Sequence, residues 1–287
     1  MSHFTVLVIG PDPEAQLAPY QENNMGDCPK EYLKYIVHAK DGRHVFDSEE
    51  LAKVANLELE YDDEPGYWEN PNAKWDWYQL GGRWNGFFKL CHTPDKMLPN
   101  HKVGAPGIFN EPAQLGRADQ AIKGDIDFDS MYNEAETNAR NKYKKVLTSF
   151  GGTIPQLDWK WTDRIDDAVK LGTVDELSKA YNEQPAVKLQ TELRQKLMNL
   201  KDPDRDFIFL DIANYQCTED EYALHARNAV IVTFAVIKDG KWYERGKMGW
   251  WEVVSDEKQS TDWQAEFTKL LDALPDDTLL SVYDCHI

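Results

Sequence analysis

"HFTVLVIG", residues 3–10, is the strand around which the rest of this sequence arranges itself. Six β-branched, aromatic or leucine residues follow His3, and Gly10-Pro11 closes the run, which predicts a buried β-strand. A counterpart lies at the far end: "TLLSVYDCHI", residues 278–287, reads as a last strand. Before it, "NAVIVTFAVIKDGKWYERG" (228–246) is the clearest hairpin, with Asp239-Gly240 as a type I′ turn between apolar runs. "STDWQAEFTKLLDAL" (260–274) places Trp263, Phe267, Leu270 and Leu274 on one side of a helix that Pro275 stops. This order of elements predicts an α+β fold, a mostly antiparallel sheet with helices on one face. An elaborated ferredoxin-like core fits it, and there the last strand lies antiparallel beside the first.

Reading inward, "PEAQLAPYQEN" (13–23) predicts a short helix broken near Pro19. "GDCPKEYLKYIVHA" (26–39) predicts a helix with Pro29 at its first position and Cys28 as N-cap. "DSEELAKVANL" (47–57) carries an Asp47/Glu50 capping-box pattern, and 61–73 reads as a loop. Residues 75–90 predict two strands flanking a Gly81-Gly82 turn, and the Pro/Gly-rich stretch 93–116 an irregular excursion. From 117 to 200 the pattern turns helical. Met131, Ala135, Ala139, Tyr143 and Val146 share one helix face, Thr173/Glu176 forms a second capping box, and 185–200 is amphipathic. "DFIFLDIA" (206–213) reads as a return to strand. Residues 1–116 and 201–287 are thus expected to form one α+β core, with 117–200 as a helical insertion.

The chain has 287 residues, 41% of them hydrophobic, with ten tryptophans, as in a folded globular protein. Its net charge of −18 repels phosphate backbones and argues against general nucleic-acid binding. The richest basic cluster is only Lys142, Lys144 and Lys145. Cys28, Cys91, Cys217 and Cys285 lie far apart with no Cys-x-x-Cys pair. No run approaches 18 apolar residues, and "MSHFTVLVIG" has no basic region before its short apolar run. The expectation is a cytoplasmic protein with free thiols and no membrane span.

Chemistry concentrates in two places. "KWDWYQLGGRWNGFF" (74–88) sets Trp75, Trp77 and Arg83 around one turn, with Tyr78 and Trp84 on the opposite face and Trp68 nearby. Tryptophan and arginine together make stacking and cation–π platforms. Gly81 and Gly82 would let a ligand approach the backbone. The competing reading is a core hairpin with Arg83 bound to an inward carboxylate. In "YDCHI" (283–287), Asp284 and His286 share a strand face, and an antiparallel first strand would bring His3 across from them. Two imidazoles and a carboxylate suit general acid–base chemistry or a divalent metal on His3, Asp284 and His286. The competing reading there is a polar strand end.

Weaker signals follow. Cys28, if it starts a helix, would have a stabilised thiolate, although a packed cysteine competes. Cys91 and His92 would point to opposite faces of a strand. Asp125, Asp127 and Asp129 would bind Mg²⁺ or Ca²⁺ on an extended segment, or cap and flank the start of the next helix. No P-loop, Rossmann fingerprint, His-Glu-x-x-His or Gly-x-Ser-x-Gly is present.

Four phrases, "MSHFTVLVIG", "APYQENNMGDCPKEYL", "GYWENPNAKWDWYQLGGRWNGFF" and the final "YDCHI", resemble a group of uncharacterised proteins of tailed-phage and bacterial genomes. The resemblance covers the first third and the end of the chain. It implies a phage-encoded protein of the host cytoplasm outside the virion, and carries over no fold or activity. Two functional classes remain, with a virion structural role a distant third. The first is an enzyme or binder of a small ligand, nucleotide-like or phosphorylated. Its pocket would use Trp75, Trp77, Gly81, Gly82, Arg83, Trp84 and Cys28 for binding and His3, Asp284 and His286 for catalysis. The second is an acidic protein that inhibits a host factor by mimicking nucleic acid or covering a basic site. The clustering of aromatic residues, histidine and glycine, against dispersed acids, favours the first.

Overall fold

The computed structural model describes residues 2–38, 44–46, 66–92, 98, 100–108, 110–198, 207, 209–249 and 253–287. The run after His3 is a strand, β1 (His3–Ile9), and it lies at the centre of a seven-stranded sheet. The other members are β2 (Trp77–Gly82), β3 (Ala105–Pro106), β4 (Gln120–Ile122), β5 (Ala235–Lys238), β6 (Lys241–Glu244) and β7 (Leu279–His286). The order is β6-β5-β1-β7-β2-β3, with β4 also pairing with β7. β1 and β7 run antiparallel from His3↔His286 to Ile9↔Leu280. The two strands at opposite ends of the sequence thus form the middle of the sheet.

The fold class is α+β, with mostly antiparallel sheets and one mixed sheet. Its order differs from the ferredoxin-like expectation. β1 bonds directly to β5 in parallel, Val6 opposite Ala235, whereas a split βαβ unit places a third strand between its parallel pair. The centre of the sheet is buried on both faces. Side chains alternate between faces, yet β1 is buried from Phe4 to Ile9 and β7 from Leu280 to Cys285. One face packs Phe4, Val6, Val8, Tyr283 and Cys285 against Leu17, Trp75 and Ile237. Leu7, Ile9, Leu280 and Val282 bury the other. Each such aliphatic side chain contributes roughly 1.5–3 kcal/mol.

Local chemistry explains several elements. Asp239 (φ 53°) and Gly240 (φ 69°) make the left-handed turn that joins β5 to β6. The strand starts only at Ala235, because Asn228 and Ala229 end the helix Glu219–Ala229. The helix Ser260–Asp272 buries Trp263, Phe267 and Leu271, with Leu271 in the place expected of Leu270. Trp263 Nε1 donates to the Thr233 carbonyl at 2.8 Å.

Residues 26–39 do not form the expected helix. A three-residue 3₁₀ turn, Lys30–Tyr32, leads into a strand, Lys34–His38, which pairs with His44–Phe46 and Gly66–Glu69. The β-branched Ile36 and Val37 outweigh the N-terminal helix signal. The strand Gly66–Glu69 occupies part of the expected loop, and the helix expected at 47–57 lies outside the described residues. Nor is 75–90 a hairpin. Gly81 and Gly82 are the last two residues of β2, while Phe88–Lys89 pairs with Arg117–Ala118.

The chain divides into two units, Met1–Phe128 with Val232–Ile287, and Asp129–Ile231. The helical segment is therefore displaced from the expected 117–200. Gln120–Ile122 belongs to the main sheet, and the helix Glu219–Ala229 to the second unit. The second unit holds most of the helix Phe128–Ser149, and Ile165–Leu171, Val174–Glu183 and Pro185–Met198. Its core gathers Tyr143, Val146, Phe207, Leu210 and Tyr215. The segment expected as a strand at 206–213 supplies Phe207 and Leu210 to that core and runs into a 3₁₀ turn, Ile212–Tyr215. Thr173 precedes its helix as expected, but its side chain makes no capping bond.

Candidate functional site

The β1–β7 ladder ends with His3 opposite His286, and β2 continues the same row with Trp77 opposite His286 and Gln79 opposite Asp284. Alternation puts His3, Asp284, His286, Trp77 and Gln79 on one face. Asp284 is only 1% exposed. Its Oδ1 lies 2.8 Å from His3 Nδ1, and its Oδ2 accepts the Arg83 main-chain N–H at 2.9 Å. A carboxylate on Nδ1 places the imidazole proton there and leaves Nε2 as the acceptor, the orientation a general base needs.

This approach depends on Gly82. Its φ is +53°, and a Cβ there would sit 2.4 Å from Asp284 Cβ and Oδ2. Gly81, at φ +75°, does the same for a second carboxylate, because its Cβ would fall 2.5 Å from Asp119 Oδ2. Asp119 is fully buried. It accepts the main-chain N–H groups of Gly86 (2.6 Å), Phe87 (3.0 Å) and Gly104 (2.8 Å), and Asn85 Nδ2 at 2.9 Å. Burial pushes its pKa up, against the pull of these donors. The glycine pair thus admits the protein's own carboxylates, where the sequence suggested a ligand.

A second imidazole–carboxylate pair adjoins the first. His286 Nδ1 lies 2.6 Å from Asp76 Oδ1, and the His3 and His286 rings meet edge to face with centroids 4.8 Å apart. On this face a cavity of about 540 Å³ opens, walled by His3, Trp77, Gln79, Arg83, Asn110 and Asp284. Trp77 is 48% exposed there. The Arg83 side chain is exposed and makes no ion pair among the described residues. The inward-carboxylate reading of Arg83 is met by its main chain alone.

The expected site is therefore partly assembled. His3, Asp284, Trp77 and Arg83 wall one cavity, with His286 against His3 and Gly81-Gly82 beneath. Trp75 does not join them. It is 3% exposed, packs edge to face on Tyr78 at 4.9 Å, and donates Nε1 to the Leu17 carbonyl at 3.2 Å. Residue 75 precedes the strand, and the bend at Asp76 ends the alternation that put it beside Trp77. Trp84 lies in the turn after β2, its N–H on the Gly81 carbonyl, and does not wall the cavity. Cys28 precedes a 3₁₀ turn and no α-helix, so no helix dipole acts on it. Its thiol is buried, donates to the Gln21 carbonyl at 3.4 Å, and has its pKa raised chiefly by burial.

The metal reading is not carried by the geometry. Among the described residues no three His, Cys, Asp or Glu side chains are grouped to hold an ion, and His3 and His286 are each bound through Nδ1 to a different carboxylate. The segment 123–130 is not extended. Asp125 closes a 3₁₀ turn and pairs with His101 at 2.9 Å, while Asp129 lies in the first turn of a helix. Among the described residues no helix is long and apolar enough to cross a membrane. The second unit has its own cavity of about 600 Å³, bordered by Lys160, Cys217, Glu221 and His225. Burial raises the Cys217 thiol, and Glu221 is engaged in the Thr218 helix cap, so neither is poised to react.

Sequence reasoning missed Asp76, Gln79, Asn110 and Asp119. Asp76 was visible as the acid between two tryptophans, and Asp119 as the charge beside the short apolar run that forms β4. The chain matches no known protein family, no curated protein and no solved structure.

Proposed function

We propose that the cavity binds a small phosphorylated ligand and that His3, oriented by Asp284, is the general base for hydrolysis of its phosphate ester. One observation carries this reading: a buried carboxylate fixes His3 through Nδ1 on the wall of a cavity that also presents a guanidinium with no ion pair among the described residues. Arg83 matches a phosphate in charge and in its forked donors. Trp77 offers an apolar face to the rest of the ligand. In the reaction, His3 Nε2 takes a proton from water as the water oxygen bonds to phosphorus. The ester P–O bond breaks and its oxygen leaves with a proton from solvent. On the resemblance of four phrases to uncharacterised phage and bacterial proteins, we further propose an accessory protein encoded by a phage and acting in the host cytoplasm.

Titration calorimetry with inorganic phosphate and with adenosine 5′-monophosphate, alongside release of p-nitrophenol from its phosphate ester, tests the proposal. Binding that Arg83→Ala weakens at least about tenfold is expected, together with turnover that His3→Gln abolishes. Binding indifferent to Arg83 would overturn it.

A further inference from the structure

The two amides that wall the cavity identify the other half of the ligand, on the reading that Arg83 holds its phosphate. Gln79 and Asn110 each turn their nitrogen toward the main chain. Gln79 Nε2 donates to the Ala105 carbonyl at 2.9 Å, and Asn110 Nδ2 to the Arg83 carbonyl at 3.0 Å. These bonds settle which end of each amide is oxygen, since only the nitrogen can donate to a carbonyl. Gln79 Oε1 and Asn110 Oδ1 are then left without a partner among the described residues. Both belong to cavity walls. The carboxylate in the same wall, Asp284, already has a partner on each oxygen.

A ligand entering here meets one cation, one half-exposed indole and two wall amides whose oxygens are free to accept. Phosphate answers the cation. A flat ring answers the indole, since aromatic faces stack with little regard to ring identity. N–H donors answer the oxygens, and a ring that stacks on Trp77 carries its donors at its edge. We infer that the ligand is a mononucleotide whose base bears an exocyclic amino group, with the base stacked on Trp77 and the amine donating to Gln79 or Asn110. A base without the amine leaves those oxygens with nothing in place of water, and loses one or two hydrogen bonds.

The test compares two ligands on the unaltered protein, so folding of a variant does not enter. Adenosine 5′-monophosphate and purine riboside 5′-monophosphate differ only in the 6-amino group. Calorimetry is expected to show the first binding about tenfold tighter, the effect of roughly one net hydrogen bond, with inorganic phosphate weaker than both. Equal affinity for the two nucleotides, with both still dependent on Arg83, would overturn this inference and leave the phosphate reading standing. Failure of both nucleotides and of phosphate to bind would overturn the reading beneath it as well.

Discussion

Two buried aspartates lie close against the same glycine pair, and they differ in what they hold. Asp119 accepts three main-chain N–H groups and one side-chain amide, all from the protein, and these tie 85–87 to residue 104. Asp284 accepts one main-chain N–H and gives its other oxygen to an imidazole on a cavity wall. The first is a staple and the second a lever: equal burial, unequal access. The comparison teaches that burial alone does not mark a functional carboxylate. What marks it is a titratable partner that itself reaches open space.

If the contrast holds, Asp119→Ala should be the most damaging single change to stability. It strands the buried donors that Asp119 now satisfies, and a loss on the order of 3 kcal/mol or more in denaturant unfolding is expected. Asp119→Asn adds a pH test. Burial holds the Asp119 pKa above its ordinary value, so the folded state binds that proton more tightly than the unfolded chain does. Its contribution to stability therefore falls as pH rises from the ordinary carboxylate range through the raised pKa. The asparagine variant cannot titrate there, so its deficit against the parent should be larger near pH 4 than at pH 7.

Gly82→Ala should come next, because a methyl group at φ +53° would collide with Asp284. A loss of about 2 kcal/mol is expected, and phosphate-ester turnover should fall with it as Asp284 leaves His3. Asp284→Asn should invert the Asp119 pattern. Stability should drop by only about 1 kcal/mol, while phosphate-ester turnover should fall on the order of 100-fold or more as His3 loses its orientation. A variant that loses stability and turnover in the Asp119 proportion would erase the contrast. The smallest effect concerns thiols. Cys91 is exposed whereas Cys28 and Cys285 are buried, the latter with its thiol pushed well up by burial. Thiol reagents should label Cys91 in the folded protein and reach the other two only in denaturant, as mass spectrometry would read.

The sequence showed the sheet's centre more clearly than its edges. The strands β1 and β7 and the Asp239-Gly240 hairpin were readable because each rests on local chemistry, an unbroken apolar run or a turn that needs positive φ. The antiparallel pairing of β1 with β7 was expected from a ferredoxin-like order that the sheet does not follow. The same unbroken run also carried a signal that went unread, since a strand buried on both faces has no polar alternation. Trp75 was misplaced because periodicity was extended one bend too far. The strand Lys34–His38 was misread because a proline-led start outweighed β-branched residues. Of the site, His3, Asp284, His286, Trp77 and Arg83 were legible from strand alternation and aromatic density. Gln79, Asn110 and Asp119 were not, because their roles come from bonds to distant main-chain groups that no spacing encodes.

The claim on which the site depends is that Asp284 holds His3 with its proton on Nδ1, facing Nε2 to the cavity as an acceptor. Long-range ¹H–¹⁵N correlation of the imidazole nitrogens, on the parent protein and on Asp284→Asn, reads that tautomer. The account predicts a neutral His3 protonated on Nδ1 in the parent, and a change in that preference in the variant. A neutral His3 protonated on Nε2, or a tautomer that Asp284→Asn leaves untouched, would contradict it.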